Sequence, residues 1–274
     1  MYTTLIDAQT VAAHLNNPDW VLVDCRFQLA DVAWGQAEYE KSHIPGAIYA
    51  HLDDDLSSPP ITDNGRHPLP SPEAMSETFS RMGIDSSKQV VAYDNANGMM
   101  ASRLWWMLRY MGHEAVAVLD GGWAAWDETD FDTYSGAELN PRTVFTGEPN
   151  DSWLVQIGDV NEVSFLVDSR APGRYAGEFE PLDHKAGHIP HAVNHFFQTN
   201  WDENGRYLPT EQIKAQMEAL LGDQAADEAV FYCGSGVSAC VNLLALKHAG
   251  LGNGRLYAGS WSEWSRTDNP IETS

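Results

Sequence analysis

VLVDCRF at residues 21–27 is answered by FLVDSRA at residues 165–171. Each is a short, β-branched apolar run that stops at Asp-x-Arg, the pattern of a buried strand ending in a polar turn. Working outward, HIPGA at 43–47 is answered by HIPHA at 188–192, and DNGR at 63–66 by ENGR at 203–206. VVAYD at 90–94 then meets VFYC at 230–233, and LDGGWAAW at 119–126 meets YAGSWSEW at 257–264. The landmarks keep their order and their offset drifts only from 145 to 138 residues, so the chain is one plan written twice with short loop changes.

Within a copy, apolar runs alternate with segments of helical period. In the first, Val21–Val23, Ile48–Tyr49, Val90–Tyr93 and Ala115–Leu119 read as strands, with helices near Pro72–Arg81 and Ser102–Met111. Alternating β and α with near-continuous hydrophobic strands predicts an α/β fold, a mostly parallel sheet flanked by helices. Two tandem domains are expected, at 1–134 and 150–274. Between them SGAELNPRTVFTGEP at 135–149 carries Gly, Pro and Asn without helical period and reads as a linker.

Composition narrows the function. Thirty-nine Asp and Glu against sixteen Lys and Arg give a formal charge of −23, which repels phosphate backbones and anionic lipid headgroups. Nucleic acid and membrane are therefore not expected as partners, and an anionic small molecule needs a local basic pocket. Three cysteines, Cys25, Cys233 and Cys240, do not form a disulfide framework, and a reducing, cytoplasmic compartment is expected. The opening MYTTLIDAQTVAAHL lacks a basic start followed by an apolar stretch, and no apolar run approaches the roughly 18 residues of a membrane span.

Chemistry is expected where the copies differ. In open α/β sheets, ligands sit at the carboxyl ends of strands, and there the first copy has Asp94 while the second has Cys233, in FYCGSGVSACVNLLALKHAG. A thiol entering a glycine-containing loop before a helix receives backbone N–H groups and the positive end of the helix dipole, which favour thiolate. Gly234 and Gly236 let the backbone curl around the sulfur. Cys25, after a core strand, and Cys240, inside the apolar helix, read as inert buried residues.

Other readings of these strings are weaker. GSGVSA fits a dinucleotide fingerprint but lacks the acidic residue about 20 positions on. A cysteine phosphatase loop needs Arg where Ala239 stands. His184, His188, His191 and His195 have helical spacing for a metal, but Ile189–Pro190 interrupts any helix there. No metal or other cofactor is expected.

The DxR turn, GHIP, the CGSGVS loop and the closing GSWSEW, in a duplicated chain, resemble the two-domain rhodanese-like sulfurtransferases over essentially the whole sequence. The resemblance implies an inactive first domain, with Asp94 at the cysteine position, and a catalytic second one. It implies that Cys233 takes a sulfane sulfur from a donor, becomes a persulfide, and passes the sulfur to cyanide, a thiol or thioredoxin. CGSGVS is similar to the mercaptopyruvate-preferring type, with thiosulfate the alternative donor. By the same resemblance the loop, Gly234, Ser235, Gly236, Val237 and Ser238, stabilises the sulfur anion. Ser235, His67 and Asp53 match a Ser–His–Asp relay whose last two members lie in the first copy, and Arg174 matches the arginine that binds the donor's anionic end. Arg170 and Arg26 read as structural ion-pair partners. Two departures stand out: Asp183 where a second arginine is expected, nine residues after Arg174, and His191 where GHIPGA has Gly. The rival class is a non-catalytic sulfur-carrying or binding module of the same fold.

Overall fold

The computed structural model describes residues 1–61 and 64–274, so Asp63 of the DNGR repeat lies outside the described residues. The chain forms two compact units: Met1–Ser58 with Pro70–Asn150 and Asn204–Arg206, and Pro59–Leu69 with Asp151–Glu203 and Tyr207–Ser274. The units do not follow chain order throughout. Arg66 and His67, numbered within the first copy, are built into the second unit, and Arg206 into the first.

In the first unit β1 (Leu5–Ile6), β2 (Trp20–Asp24), β3 (Ile48–Tyr49), β4 (Gln89–Tyr93) and β5 (Val116–Leu119) form a sheet of order β1-β5-β4-β2-β3. In the second, β6 (Leu154–Val155), β7 (Leu166–Asp168), β8 (Val193–Asn194), β9 (Val230–Tyr232) and β10 (Arg255–Tyr257) repeat it as β6-β10-β9-β7-β8. Every pairing is parallel, with Val23 opposite Ala92 in one sheet and Val167 opposite Phe231 in the other. The expected α/β architecture is therefore present in both copies.

Parallel strands need crossovers, supplied in the first unit by α1 (Ala8–Ala12), α2 (Trp34–Lys41), α3 (Pro72–Arg81) and α4 (Met99–Tyr110), with α5 (Gly122–Asp127) following the last strand. The second unit has α6 (Pro172–Tyr175), α7 (Thr210–Leu221), α8 (Ala239–His248) and α9 (Ser260–Trp264). α3 starts where Ser71 Oγ accepts the Ala74 N–H and proline occupies the first turn. α4 and α8, which leave the central strands, are buried almost all round, so their sequences lack a polar face. α4 begins at Met99, three residues before the expected start, because the left-handed Gly98 turns the chain into the helix. The cores are the inner faces of the sheets: Leu22, Val91, Tyr93, Leu119 and Trp126 in one, Leu166, Val230, Tyr232, Tyr257, Trp261 and Trp264 in the other.

The 135–149 segment has no helix or strand and packs along the first unit. Thr143 N–H donates to Ser80 O at 3.0 Å, and Phe145 meets Phe79 edge-on at 5.0 Å. Among the described residues, no helix is long and apolar enough to cross a membrane.

Candidate active site

β9 delivers Cys233 to the carboxyl edge of its sheet, between β7 and β10, and the next five residues curl back before α8 begins. The cysteine is 1% exposed. Three contacts pin its peptide to the start of α9. Cys233 N–H donates to Ser260 Oγ at 3.1 Å, Trp261 N–H donates to Cys233 O at 3.0 Å, and Ser262 N–H donates to Gly234 O at 2.8 Å. Gly236 turns the loop with φ +76°, a left-handed conformation that glycine adopts without a Cβ penalty.

The equivalent loop of the first unit shows what such a turn does with an anion. There Asp94 follows β4, and its carboxylate accepts N–H groups from Ala96, Gly98, Met100 and Ala101 at 2.7–2.8 Å. Burial holds the Asp94 carboxyl above its usual range, and those four amides oppose the push without reversing it. Trp123 N–H donates to Asp94 O at 2.8 Å, as Trp261 N–H does to Cys233 O.

Ser235, 6% exposed, puts its Oγ 2.7 Å from Nδ1 of His67, itself 6% exposed. The structure thus brings together two members of the expected relay, 168 residues apart in sequence. Asp53 belongs to the first unit, where its backbone N–H meets His51 Nδ1 at 3.2 Å. Burial pushes its carboxyl up, His51 pulls it down, and Asp54 adds to the rise. Val237 is buried, and Ser238 precedes α8 without a side-chain capping bond.

Arg174, on α6, stands beside the loop within an alternating run of acids and bases. Asp168 holds Arg170 through Nη2 at 2.6 Å, and Arg170 Nη1 reaches Glu180 at 3.2 Å. Glu180 takes Nε and Nη2 of Arg174 at 3.0 and 2.7 Å, and Arg174 Nη2 also meets Asp183 at 3.3 Å. Asp183 then binds Nη1 of Arg66. Both carboxylate side chains are 3% exposed. Burial pushes the Glu180 carboxyl up, but the Arg174 hydrogen bond, the Leu182 N–H and the charges of Arg174 and Arg170 outweigh it and hold it below its usual range. For Arg170 burial opposes the charge, and Asp168 outweighs it and raises the guanidinium further. Arg170 also lies 4.5 Å over the Trp261 ring, as Arg26 lies 4.4 Å over Trp123, so both are packed ion-pair partners.

Gly234 is where this run meets the cysteine. A Cβ placed there would lie 2.9 Å from Arg66 Nη2 and 3.5 Å from Arg174 Nη1 and Nη2. A Cβ there would crowd Arg66 Nη2 and touch Arg174, so the bare Cα gives both guanidinium groups room beside the residue after the cysteine. Sequence reasoning gave Gly234 its place but missed Arg66, Glu180 and Ser260. Arg66 carried a faint signal in its position beside His67; for the other two no spacing rule applies. Ser260 holds φ +56° without being glycine, where the first copy has Gly122 at the same angle.

The histidine row does not gather. His188 stacks on Tyr175 at 3.8 Å and places Nδ1 2.8 Å from Tyr175 O, and burial holds the His195 imidazole below its usual range. Among the described residues no group of three or more His, Cys, Asp or Glu is placed to hold a metal ion. His191, at the usual glycine position, keeps the turn's positive φ at +64°.

Two parallel α/β units, one ending its central strand in a carboxylate and the other in a cysteine beside paired guanidinium groups, define a duplicated α/β protein with a candidate thiol site in its second copy. The comparisons agree with it. The Rhodanese-like domain family matches residues 7–129 and 151–267. The chain is 44% identical over 270 residues to the probable 3-mercaptopyruvate sulfurtransferase of Pseudomonas aeruginosa, covering 95% of this chain and 94% of that one. It is 31% identical over 296 residues to a thiosulfate/3-mercaptopyruvate sulfurtransferase of Arabidopsis thaliana, covering 92% and 84%. The solved 3-mercaptopyruvate sulfurtransferase from Leishmania major superposes with a TM-score of 0.86 at 31% identity, covering 96% of this chain and 74% of that chain. This chain belongs to the rhodanese-like family, as a two-domain sulfurtransferase.

Proposed function

We propose that the second unit carries out the transfer, with 3-mercaptopyruvate as the preferred donor and Cys233 as the nucleophile, and that the first is a catalytically silent copy. The Cys233 thiolate attacks the donor sulfur, the carbon–sulfur bond breaks, and its electron pair leaves on the pyruvate enolate, which takes a proton at carbon to become pyruvate. The sulfur stays as a Cys233 persulfide. A thiophilic acceptor, cyanide or a thiol such as reduced thioredoxin, attacks the outer sulfur and returns the thiolate.

The observation that carries this reading is the position of Cys233 at a strand end with Arg66 and Arg174 against the adjoining Gly234. A guanidinium fork suits the donor's carboxylate. Ser235 lies on the same loop with His67 hydrogen-bonded against it, and in this reading the pair hydrogen-bonds the donor's carbonyl oxygen as charge grows there. The Asp94 loop supports the same role for the Cys233 loop, since one turn of this design gathers four amides on an anion. Gly234, Gly236, Val237 and Ser238 would supply that backbone. Asp53 is kept in this reading as the relay carboxylate that the family resemblance assigns, and three cysteines that form no disulfide among the described residues support a reducing, cytoplasmic setting.

The test is a parallel assay with 3-mercaptopyruvate and thiosulfate, cyanide as acceptor and Cys233→Ser as blank. A Cys233-dependent rate that favours 3-mercaptopyruvate is expected. A preference for thiosulfate would overturn the donor assignment, and transfer by the blank would overturn the nucleophile.

A further inference from the structure

Arg66 and Arg174 meet the loop from one acid-linked run, and how its charges balance bears on which anions fit. We propose that Arg66 is a second donor-binding cation and that Asp183, held between Arg66 and Arg174, makes the site selective for singly charged donors over dianions. The inference rests on the reading above that an anionic sulfur donor is bound beside Cys233.

Arg66 is fixed at two points. Its backbone N–H donates to Ser262 Oγ at 3.1 Å, and its Nη1 is paired with Asp183. That leaves Nη2 turned to the Gly234 Cα, 2.9 Å from where a Cβ would stand. Arg174 is held the same way: Nε and Nη2 are taken by Glu180 and Asp183, while Nη1 lies against Gly234. Two guanidinium edges, each anchored from behind by a carboxylate, therefore present N–H donors to the space over Gly234.

The anchors set the charge. Arg66, Arg170 and Arg174 are linked to Asp168, Glu180 and Asp183, three positive charges to three negative ones. The run thus offers directional hydrogen bonds with no net positive charge among its three pairs. A carboxylate with one charge uses those donors fully. A dianion such as thiosulfate also meets the field of Asp183 and Glu180, which are too buried for water to screen well. Specificity then comes from a repulsive element placed among attractive ones.

The test uses the full chain in a Cys233→Ala background, where anion binding is read without turnover by titration calorimetry with pyruvate and with thiosulfate. Arg66→Gln is expected to weaken pyruvate about tenfold, the usual scale for one charged contact. Asp183→Asn keeps the shape and an acceptor for Arg66, and is expected to tighten thiosulfate about tenfold while moving pyruvate less than about threefold. Misfolding cannot produce that gain. Unchanged pyruvate affinity in Arg66→Gln, or an equal change for both anions in Asp183→Asn, would overturn the proposal. A wild-type enzyme that failed to use either donor would sink the functional reading while leaving these affinities to decide the anion site.

Discussion

His67 Nδ1 stands 2.7 Å from Ser235 Oγ, and both side chains are almost closed to solvent. Removing either leaves the other buried with a lost partner, at about 1–3 kcal/mol of stability. If the pair acts as a unit on the donor, Ser235→Ala, His67→Ala and the double variant should lose similar factors in kcat/KM for 3-mercaptopyruvate. Steady-state kinetics on the three variants checks this. Losses that simply multiply would mean the two residues act separately.

Asp94 satisfies four amides with one carboxylate in a loop that carries no cysteine. Asp94→Ala leaves those donors without their acceptor and should cost on the order of 3 kcal/mol in the first unit. Denaturant unfolding should show the loss, while persulfide formation per folded molecule stays near wild type. A loss of transfer without a loss of stability would contradict the structural role of Asp94.

Ser260 accepts the Cys233 N–H from a left-handed backbone, a conformation that costs a non-glycine residue about 1 kcal/mol or more. Ser260→Gly relieves that strain, as Gly122 does in the first copy, but removes the Oγ. The relieved strain and the orphaned Cys233 N–H oppose each other, so the variant should melt within about 5 °C of wild type and transfer sulfur more slowly, with the change in kcat. An unaltered kcat would show that the serine hydroxyl does not position the cysteine.

Much of this was legible in the sequence. The duplication and the β–α alternation gave two parallel α/β units, because buried parallel strands read as continuous apolar runs. Cys233 was legible because a strand, a glycine loop and a helix have one geometry. The short α2 (Trp34–Lys41) was not read, since only Gly35 and Tyr39 of it are buried and it shows no clear apolar stripe. The membership of Pro59–Leu69 in the second unit was hidden as well, because tertiary contact decides it and no local pattern records it. Asp183 looked like a lost arginine; only the fold shows Arg66 arriving from 117 residues away to pair with it.

The Glu180 carboxyl is held below its usual value, so it binds its proton less readily folded than unfolded. Its contribution to stability is present above the ordinary carboxylate value of 4.5 and is lost as pH falls below it. Acid unfolding followed by circular dichroism should therefore be shallower between about pH 5 and pH 3 in Glu180→Gln than in wild type. Identical acid profiles would show that the Arg174–Glu180 pair does not contribute.

Cys233 as the sulfur carrier is tested most directly by intact-protein mass spectrometry after exposure to 3-mercaptopyruvate, with peptide mapping of the product. The account predicts one added sulfur on wild type, mapped to Cys233, removed by cyanide and missing from Cys233→Ser. Added sulfur on Cys25 or Cys240, or on the Cys233→Ser variant, would contradict it.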